Sequence, residues 1–250
     1  MITNFFAGIG AYAVLMTKVF RRPDRWKMFY RSLIKEINIL GVDSIGIVVI
    51  LSVFMGAVVT IQTAFQLSDD PLIPTYYIAM ATRESITLEF SPTVVSLILA
   101  GKVGSNIASS IGTMRVSEQI DALEVMGINS ANFLILPRIV AQLIFNPVLV
   151  TISLFLGLWG GAMAGDLLGL VPFEESIMGY QLEFIPFENV FYALIKSVAF
   201  AFIIGSVSAY CGYTVKGGAV EVGIASTNAV VRACLAIIFA NYILTDLMLN

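Results

Sequence analysis

Five long apolar runs constrain this chain more than any other feature of its sequence. They are Ile45–Leu67, Tyr76–Gly112, Ile139–Gly165, Val190–Tyr213 and Ala229–Leu249. A helix needs about 20 apolar residues to cross the hydrocarbon core of a bilayer. Hydrophobic residues make up 58% of the chain and charged residues 12%, whereas soluble domains are about 45–50% apolar and about 25% charged. The sequence therefore predicts an all-α integral membrane protein with about five transmembrane helices.

The second of these runs, Tyr76–Gly112, is longer than one crossing requires. As a helix it would extend roughly 55 Å, at about 1.5 Å per residue. We therefore expect this helix to tilt, to bend at Pro92 or to project beyond the hydrocarbon.

The N-terminal stretch Phe5–Phe20 is apolar but spans only roughly 24 Å as a helix, which is short for a crossing. Seven basic residues close or follow it: Lys18, Arg21, Arg22, Arg25, Lys27, Arg31 and Lys35. This pattern predicts a helix in the membrane interface with its basic end against anionic lipid; a sixth crossing is the alternative. We divide the chain into an N-terminal interfacial region, residues 1–44, and a transmembrane domain, residues 45–250.

The distribution of Lys and Arg predicts the orientation of the chain. Half of the 14 basic residues lie in Lys18–Lys35, and the segments Met114–Arg138 and Val215–Asn228 also carry basic residues. The loops Ser68–Thr75 and Asp166–Asn189 carry acids but neither Lys nor Arg. Because basic loops stay in the cytoplasm, we expect the three basic segments there, and both acidic loops and the C-terminus outside.

Composition argues against several classes of function. The net charge of -3 disfavours nucleic acid as a partner, and the absence of histidine removes the commonest general base and metal ligand. Cys211 and Cys234 lie in separate apolar stretches, which favours small membrane-buried side chains over a redox pair or metal site. The sequence has no Gly-x-x-x-x-Gly-Lys-Ser/Thr phosphate loop, so any ATP would bind to another subunit.

Small residues open the segment between the second and third crossings. They are Gly101, Gly104, Ser105, Ala108, Ser109, Ser110 and Gly112. Small side chains let a neighbouring helix approach closely, and we interpret most of these positions as helix packing.

A short amphipathic helix is predicted next, between Ser117 and Gly127. Ile120, Leu123 and Met126 recur on one side of it, with acidic residues on another. Ser117 is the predicted N-cap, and Gly127 is the predicted stop. Such a helix suits docking of a soluble partner; a solvated loop helix is the alternative.

The residues of this segment resemble those of the MlaE permease family, also called YrbE, which has a chloroplast relative. The resemblance rests on the runs Ala100–Ser105, Gly112–Gly127, Leu136–Arg138 and Lys216–Ala219, and continues through Val222–Gly223, Ala225–Thr227 and Ala229–Val231. It covers roughly residues 40–250 in consistent order, and its central block is long and specific.

Two departures from the family pattern stand out. The family usually has Arg-Glu-Leu/Ile-Gly-Pro in the second crossing, where this chain has Leu88-Glu89-Phe90-Ser91-Pro92. We expect Arg83, five residues before the replaced Arg, to supply the displaced cation. The family's Pro soon after the Met-Gly pair is Ser130 here.

The resemblance implies a permease subunit of an ATP-driven lipid transporter in a bacterial inner membrane, with the N-terminal region cytoplasmic and the C-terminus periplasmic. Such permeases form homodimers and work with an ABC ATPase subunit (MlaF-like), an MCE-domain protein (MlaD-like) and, in some systems, a STAS-domain protein (MlaB-like). The cargo is commonly glycerophospholipid, moved between inner and outer membranes so that outer-membrane lipid asymmetry is maintained. ATP and Mg would lie on the ATPase, with no cofactor and no catalysis in this chain.

The short amphipathic helix is then the ATPase-coupling helix. We predict that Glu118, Gln119, Asp121 and Glu124 make polar contacts with the ATPase and that Leu123 and Met126 pack against it. Plain solvation of the acids is the alternative.

Glu89 is the main lipid-cavity candidate because a carboxylate inside a crossing is costly and marks a functional site by default. It would hold a headgroup or form an ion pair inside the dimer; a structural hydrogen bond is the alternative. Pro92, Gln62 and Phe65 are the other cavity candidates. Gln62 would equally suit the headgroup level of the membrane.

Three other functions compete with this interpretation. An ion-gradient-driven secondary transporter of an amphiphile would use Glu89 for coupling and need no ATPase. A membrane-embedded lipid enzyme would need a nucleophile with its base or a metal cluster. A structural membrane anchor would leave the polar residues of the second crossing without a role.

Overall fold

The computed structural model describes residues 2–21, 26–67, 74–182 and 186–249, which contain eight helices and no strand. The helices are α1 (Ile2–Val19), α2 (Trp26–Leu67), α3 (Tyr76–Val116), α4 (Gln119–Val125), α5 (Ser130–Leu167), α6 (Phe173–Gln181), α7 (Pro186–Tyr213) and α8 (Ala219–Leu249). Five of them, α2, α3, α5, α7 and α8, are long and apolar enough to cross a membrane. Helices suit this solvent because each satisfies its own backbone hydrogen bonds. The predicted all-α fold with five crossings is confirmed.

The first crossing begins earlier than its apolar run. The basic, amphipathic segment Trp26–Glu36 continues through a π-helical segment, Ile37–Val42, into the apolar segment Asp43–Leu67. One helix therefore joins the predicted N-terminal region to the transmembrane domain. Of the basic residues predicted to face anionic lipid, Arg22 and Arg25 lie outside the described residues.

The long second crossing, α3, is helical throughout and contains two π-helical segments, Ile86–Val94 and Ala100–Gly104. Pro92 lies inside the first of them and is buried. Proline has no N–H and therefore removes one intrahelical hydrogen bond, and a π-helical segment is one way for a helix to absorb such an interruption.

The chain divides into two compact units. The first unit comprises Met1–Asp43, Leu97–Phe145 and Ala199–Ala240, and the second comprises Ser44–Ser96, Asn146–Val198 and Asn241–Asn250. Five helices, α2, α3, α5, α7 and α8, contribute residues to both units. Most of the acidic loop predicted before α3 lies outside the described residues, as does Glu183.

Small residues bring α3 and α7 together in the first unit. A Cβ added to Gly212 would lie 2.5 Å from the Ala108 carbonyl oxygen, and one added to Gly104 would lie 2.8 Å from Ser208 Oγ. The packing role predicted for Gly104 is confirmed. Gly101, in contrast, faces open space and is an exception to the packing interpretation, which was made for most of these positions.

Helix α1 is held by polar contacts in the first unit. Tyr12 donates to Ser206 Oγ at 2.8 Å, and its ring makes an edge-to-face contact with Tyr210. The Asn132 amide donates to the carbonyls of Val19 and Arg21, at 2.7 and 2.6 Å. These bonds satisfy carbonyls at the end of α1 that have no partner within the helix.

A glycine contact joins α2 and α5 in the second unit. A Cβ on Gly56 would lie 1.8 Å from the Gly157 carbonyl oxygen, and one on Gly160 would lie 2.5 Å from the Val53 carbonyl oxygen. Larger residues at these glycines would push the helices apart.

Candidate functional sites

Helix α4 lies in the first unit, and its start differs from the prediction. The residue before the helix is Glu118, in the left-handed conformation at φ 59°, and it makes no side-chain capping bond. Ser117 Oγ instead donates back to the Thr113 carbonyl of α3, at 2.8 Å. The Ser117 N-cap prediction was wrong because this hydroxyl is used by the preceding helix turn.

The apolar side of α4 is only partly buried. Ile120 is fully buried and Leu123 is half-buried, but Met126 is 65% exposed and Val125 is 89% exposed. Gly127 ends the segment at φ +75°, as predicted. The exposed Val125 and Met126 leave an apolar surface beside the exposed Glu118 and Gln119.

Two acids of α4 have partners within the first unit. Asp121 pairs with Arg115 at 2.7 Å. One oxygen of Glu124 accepts from Ser130 Oγ at 2.9 Å and from Tyr213 OH at 3.0 Å. These hydrogen bonds, the Ser130 bond foremost, hold the pKa of Glu124 below its ordinary value. Ser130, which replaces the family's Pro, therefore positions a predicted contact residue.

The second site is a partly buried polar cluster in the second unit, which we call the Glu89 cluster: Glu89, Thr93, Lys196, Asn241 and Thr245. Glu89 Oε1 lies 2.5 Å from Lys196 Nζ and accepts from Thr245 Oγ1 at 3.1 Å. Its Oε2 accepts from Asn241 Nδ2 at 3.0 Å and from Thr93 Oγ1 at 3.3 Å. Four donors from α3, α7 and α8 thus converge on one carboxylate.

The two charges of the cluster differ in exposure. The Lys196 side chain is 0% exposed, whereas the Glu89 side chain is 40% exposed. The Lys196 ammonium also donates to the Leu88 carbonyl at 3.2 Å and lies 4.5 Å from the centre of the Tyr192 ring. The Lys196 ammonium is therefore fully buried, and within this ion pair only the Glu89 carboxylate is partly exposed.

Pro92 is buried and lies within the π-helical segment that carries Glu89. It has no N–H, so the Leu88 carbonyl, four residues earlier, lacks the partner that an α-helix would give it. The Lys196 ammonium donates to that carbonyl.

A cavity of about 270 Å³ adjoins the cluster in the second unit. It is lined by Leu88, Tyr192, Glu188, Asn189, Phe191 and Met248. Leu88 and Tyr192 also contact Lys196, so the cavity lies next to the buried charge. Gln62 and Phe65, the other predicted cavity residues, are exposed on α2 and are not among the described hydrogen-bond partners of Glu89.

The cation beside Glu89 is not the predicted one. Arg83 is 1% exposed, and its guanidinium donates to the carbonyls of Gly179, Tyr180 and Leu182, at 3.4, 3.2 and 2.7 Å. These carbonyls close the C-terminal end of α6, where a cation is favoured. The expectation for Arg83 was wrong because its guanidinium binds the end of α6 and the neighbouring Glu84, at 3.1 Å, and Lys196 pairs with Glu89 instead.

Lys196 was missed by sequence reasoning, although a signal was present. It is the only charged residue in the apolar run Val190–Tyr213, and an isolated charge in a crossing requires a partner. Pairing it with Glu89 would have been the natural inference. Asn241 and Thr245 carried no comparable signal, because polar uncharged residues are common in crossings.

Comparison with known proteins places these sites in a family. The family model described as Permease MlaE matches residues 33–247. The chain is 34% identical to a probable ABC transporter permease protein of Synechocystis sp. over 99% of this chain and 93% of that protein, and 33% identical to one of Rickettsia bellii over 96% and 91%. It is 27% identical to the intermembrane phospholipid transport system permease protein MlaE of Haemophilus influenzae, over 99% and 94%. The chain therefore belongs to the MlaE family of ABC transporter permeases, as a multi-pass membrane protein.

Proposed function

We propose that this chain is the permease subunit that conducts glycerophospholipid in an ATP-driven transporter, and that the Glu89 cluster is where the lipid headgroup binds. The Glu89 cluster carries the proposal, because it combines a sealed cation, a partly exposed carboxylate and an adjoining cavity. A relative named for phospholipid transport supports the substrate class.

The donor set of the cluster suits a phosphate as well as a carboxylate. Lys196, Asn241, Thr245 and Thr93 present an ammonium, an amide and two hydroxyls to the same point. Charge-assisted hydrogen bonds from such donors bind carboxylates and phosphates alike. In this proposal a lipid phosphate binds these donors when the Glu89 carboxylate rotates toward its exposed side. An amine in the headgroup then pairs with the displaced carboxylate.

Energy for the cycle comes from a separate ABC ATPase that docks on α4. The exposed surface of Glu118, Gln119, Val125 and Met126 supports this assignment. Glu124 and Asp121 shape that surface, because their internal partners fix their side chains. The exposed apolar part gives the ATPase a hydrophobic anchor between polar contacts.

The remaining assembly is part of the same proposal. Two copies of the chain form a homodimer in a bacterial inner membrane, with the N-terminal region and α4 in the cytoplasm and the C-terminus in the periplasm. An MCE-domain protein exchanges lipid with the outer face, and a STAS-domain protein is an optional addition to the ATPase. Family membership favours this arrangement over an ion-gradient-driven transporter.

ATP-dependent lipid transfer tests the headgroup site. The complete complex would be reconstituted in vesicles, and transfer of fluorescent phospholipid to acceptor vesicles would be measured for Glu89→Gln and Thr245→Val. Because a hydrogen bond to a charged group contributes about 1.5–3 kcal/mol, we expect transfer to fall by roughly tenfold or more in Glu89→Gln and less in Thr245→Val.

Glu174→Gln, which neutralises an exposed acid on α6, is the matched control and should transfer lipid at the original rate. Each variant must retain the thermal stability needed for assembly. Unchanged transfer in a folded Glu89→Gln complex would contradict the proposed site, and transfer without ATP would contradict the proposed energy source.

A further inference from the structure

A cavity of about 220 Å³ lies at the connection between α7 and α8, in the first unit, and belongs to neither site described above. Its lining includes Thr214, Lys216, Glu221, Ile224, Asn228 and Arg232. Lys216 lies in the connection, and Arg232 lies within α8. Two cations from different elements therefore share one cavity.

The acid in this cavity is already engaged. Glu221 Oε2 accepts a hydrogen bond from the Gly218 N–H at 2.9 Å. Its carboxylate lies in the first turn of α8, where the positive end of the helix dipole favours an anion. Among the described residues, neither Lys216 nor Arg232 forms an ion pair. The hydrogen bond that Arg232 makes is a contact of 3.8 Å with Cys211 Sγ, and a thiol sulfur is a weak acceptor.

Arg232 is exposed and lies one helical turn beyond Asn228, where the segment expected in the cytoplasm ends. A basic side chain at this level of a crossing reaches the membrane interface, where it attracts anionic lipid. Asn228, one helical turn earlier, is exposed on the same cavity and offers an amide donor.

An apolar surface continues from the cavity along α8. Ile224 is 56% exposed, Val231 is 51% exposed and Leu235 is 64% exposed. Donors for an anion and a surface for hydrocarbon therefore lie side by side. A free phosphate would use only the donors, whereas an anionic lipid would use both.

We propose that this cavity is a second lipid site, which binds the phosphodiester of an anionic lipid through Lys216, Asn228 and Arg232, with an acyl chain along α8. The site is separate from the Glu89 cluster in residues and in charge: Lys196 of that cluster is ion-paired with Glu89, whereas this cavity has two cations and one acid, and neither cation forms an ion pair among the described residues. The inference therefore stands whether or not the Glu89 cluster conducts lipid.

The site is connected to α4 through the end of α7. Cys211 and Thr214 line the cavity, and Tyr213 between them donates to Glu124 of α4. A bound lipid would fix the segment that holds Glu124. Occupancy of the site thus favours one arrangement of the surface proposed for the ATPase.

Native mass spectrometry of the purified full-length protein in mild detergent tests the site, with dioleoyl phosphatidylglycerol as the anionic probe and dioleoyl phosphatidylcholine as the zwitterionic one. We expect phosphatidylglycerol to be retained preferentially. Since each cation contributes roughly a fivefold gain in affinity for anionic lipid, Lys216→Gln/Arg232→Gln should lose at least about fivefold in phosphatidylglycerol affinity.

Lys102→Gln/Arg115→Gln removes the same charges from α3, at residues that do not line this cavity, and should keep the preference. Asn228→Asp adds a negative charge without changing the size of the side chain, and it should lose the preference for phosphatidylglycerol. This variant tests the site even if Lys216→Gln/Arg232→Gln folds poorly. Equal losses in the α3 control and in Lys216→Gln/Arg232→Gln would overturn the proposal. So would displacement of phosphatidylglycerol by millimolar inorganic phosphate, because the ligand would then be a free anion.

Discussion

The Glu89 cluster and α4 both hold a glutamate by hydrogen bonds, but in opposite surroundings. Glu124 is exposed, and its hydrogen-bond donors, Ser130 and Tyr213, are neutral. Glu89 faces a fully buried Lys196 and three further donors in an apolar crossing. Water can replace the partners of Glu124 at little cost, whereas no water reaches Lys196.

Because of this difference, the two sites are suited to different binding partners. Helix α4 can exchange its internal hydrogen bonds for those of a partner protein, because both are made in water. The Glu89 cluster can release its carboxylate only if another anion compensates Lys196, because an unpaired charge in a low-dielectric site is strongly unfavourable. The cluster is therefore suited to respond to a ligand, and α4 to a protein.

The strongest test of this contrast removes the carboxylate from the cluster. Glu89→Leu leaves the Lys196 ammonium buried without an anion, and we expect a loss of about 3–5 kcal/mol in stability. Glu89→Leu/Lys196→Met removes both charges and should recover most of that loss. Thermal unfolding in detergent checks both. If the double variant is no more stable than Glu89→Leu, the pair is not the source of the cost.

A smaller loss of stability is expected when Arg83 no longer binds the end of α6. Arg83→Gln removes the guanidinium that closes the end of this helix, and we expect it to cost about 2–3 kcal/mol. Hydrogen exchange should rise in Phe173–Gln181 while the Glu89 cluster stays protected. Arg83→Lys, which keeps the charge and part of the donor set, serves as the control. Unchanged hydrogen exchange in Arg83→Gln would contradict a stabilising role of Arg83 at the end of α6.

The exposed acid of α4 should show a weaker, pH-dependent effect. Because the pKa of Glu124 is lowered in the folded state, its bonds contribute stability above the ordinary carboxyl pKa, and that contribution is lost as pH falls through the lowered value. Ser130→Ala should raise the pKa of Glu124 toward its ordinary value. Since the group is exposed, we expect a difference of only about 0.5 kcal/mol or less.

Stability measured from neutral pH down to about pH 2, well below the ordinary carboxyl pKa, compares Ser130→Ala with the original chain. The two curves should differ near neutral pH and converge in acid. Curves that diverge in acid would show that Ser130 destabilises the carboxylate. Ser109→Ala, at an exposed α3 serine that bonds only its own helix backbone, is the control.

The smallest effect on stability, and the largest on assembly, is expected at the exposed apolar surface of α4. Val125→Asp changes a side chain that is 89% exposed, so the stability of the chain should change by less than about 0.5 kcal/mol. Binding of the ATPase should nevertheless be lost. Co-purification measures this, with the exposed Val220→Asp as the control. Retained binding by Val125→Asp would move the docking surface away from α4.

Much of the fold could be predicted because its signals are local. Runs of apolar residues marked the five crossings, and the contiguous pattern around Ile120 marked α4. The start of α4 was predicted wrongly because a serine hydroxyl can bond forward as a cap or backward to a helix carbonyl, and only the backbone conformation of Glu118 decides between them.

The Glu89 cluster was only partly predictable because its contacts are far apart in sequence. The burial cost of Glu89 marked it as functional, but its partners lie on α7 and α8. The nearer Arg83 was chosen as the cation because proximity in sequence was the available guide. The isolated charge of Lys196 in its own crossing was the better signal, since two charges of opposite sign within crossings each require a partner.

The central claim is that the chain is the lipid-conducting subunit of an ATP-driven complex. Purification of the chain from its native membrane in mild detergent, followed by mass spectrometry of the proteins and lipids that remain bound, tests it most directly. The account predicts an ABC ATPase and an MCE-domain protein at a fixed ratio to this chain, with bound phospholipid that is reduced in Glu89→Gln. Recovery of the chain without an ATPase, even after gentle crosslinking, would contradict it.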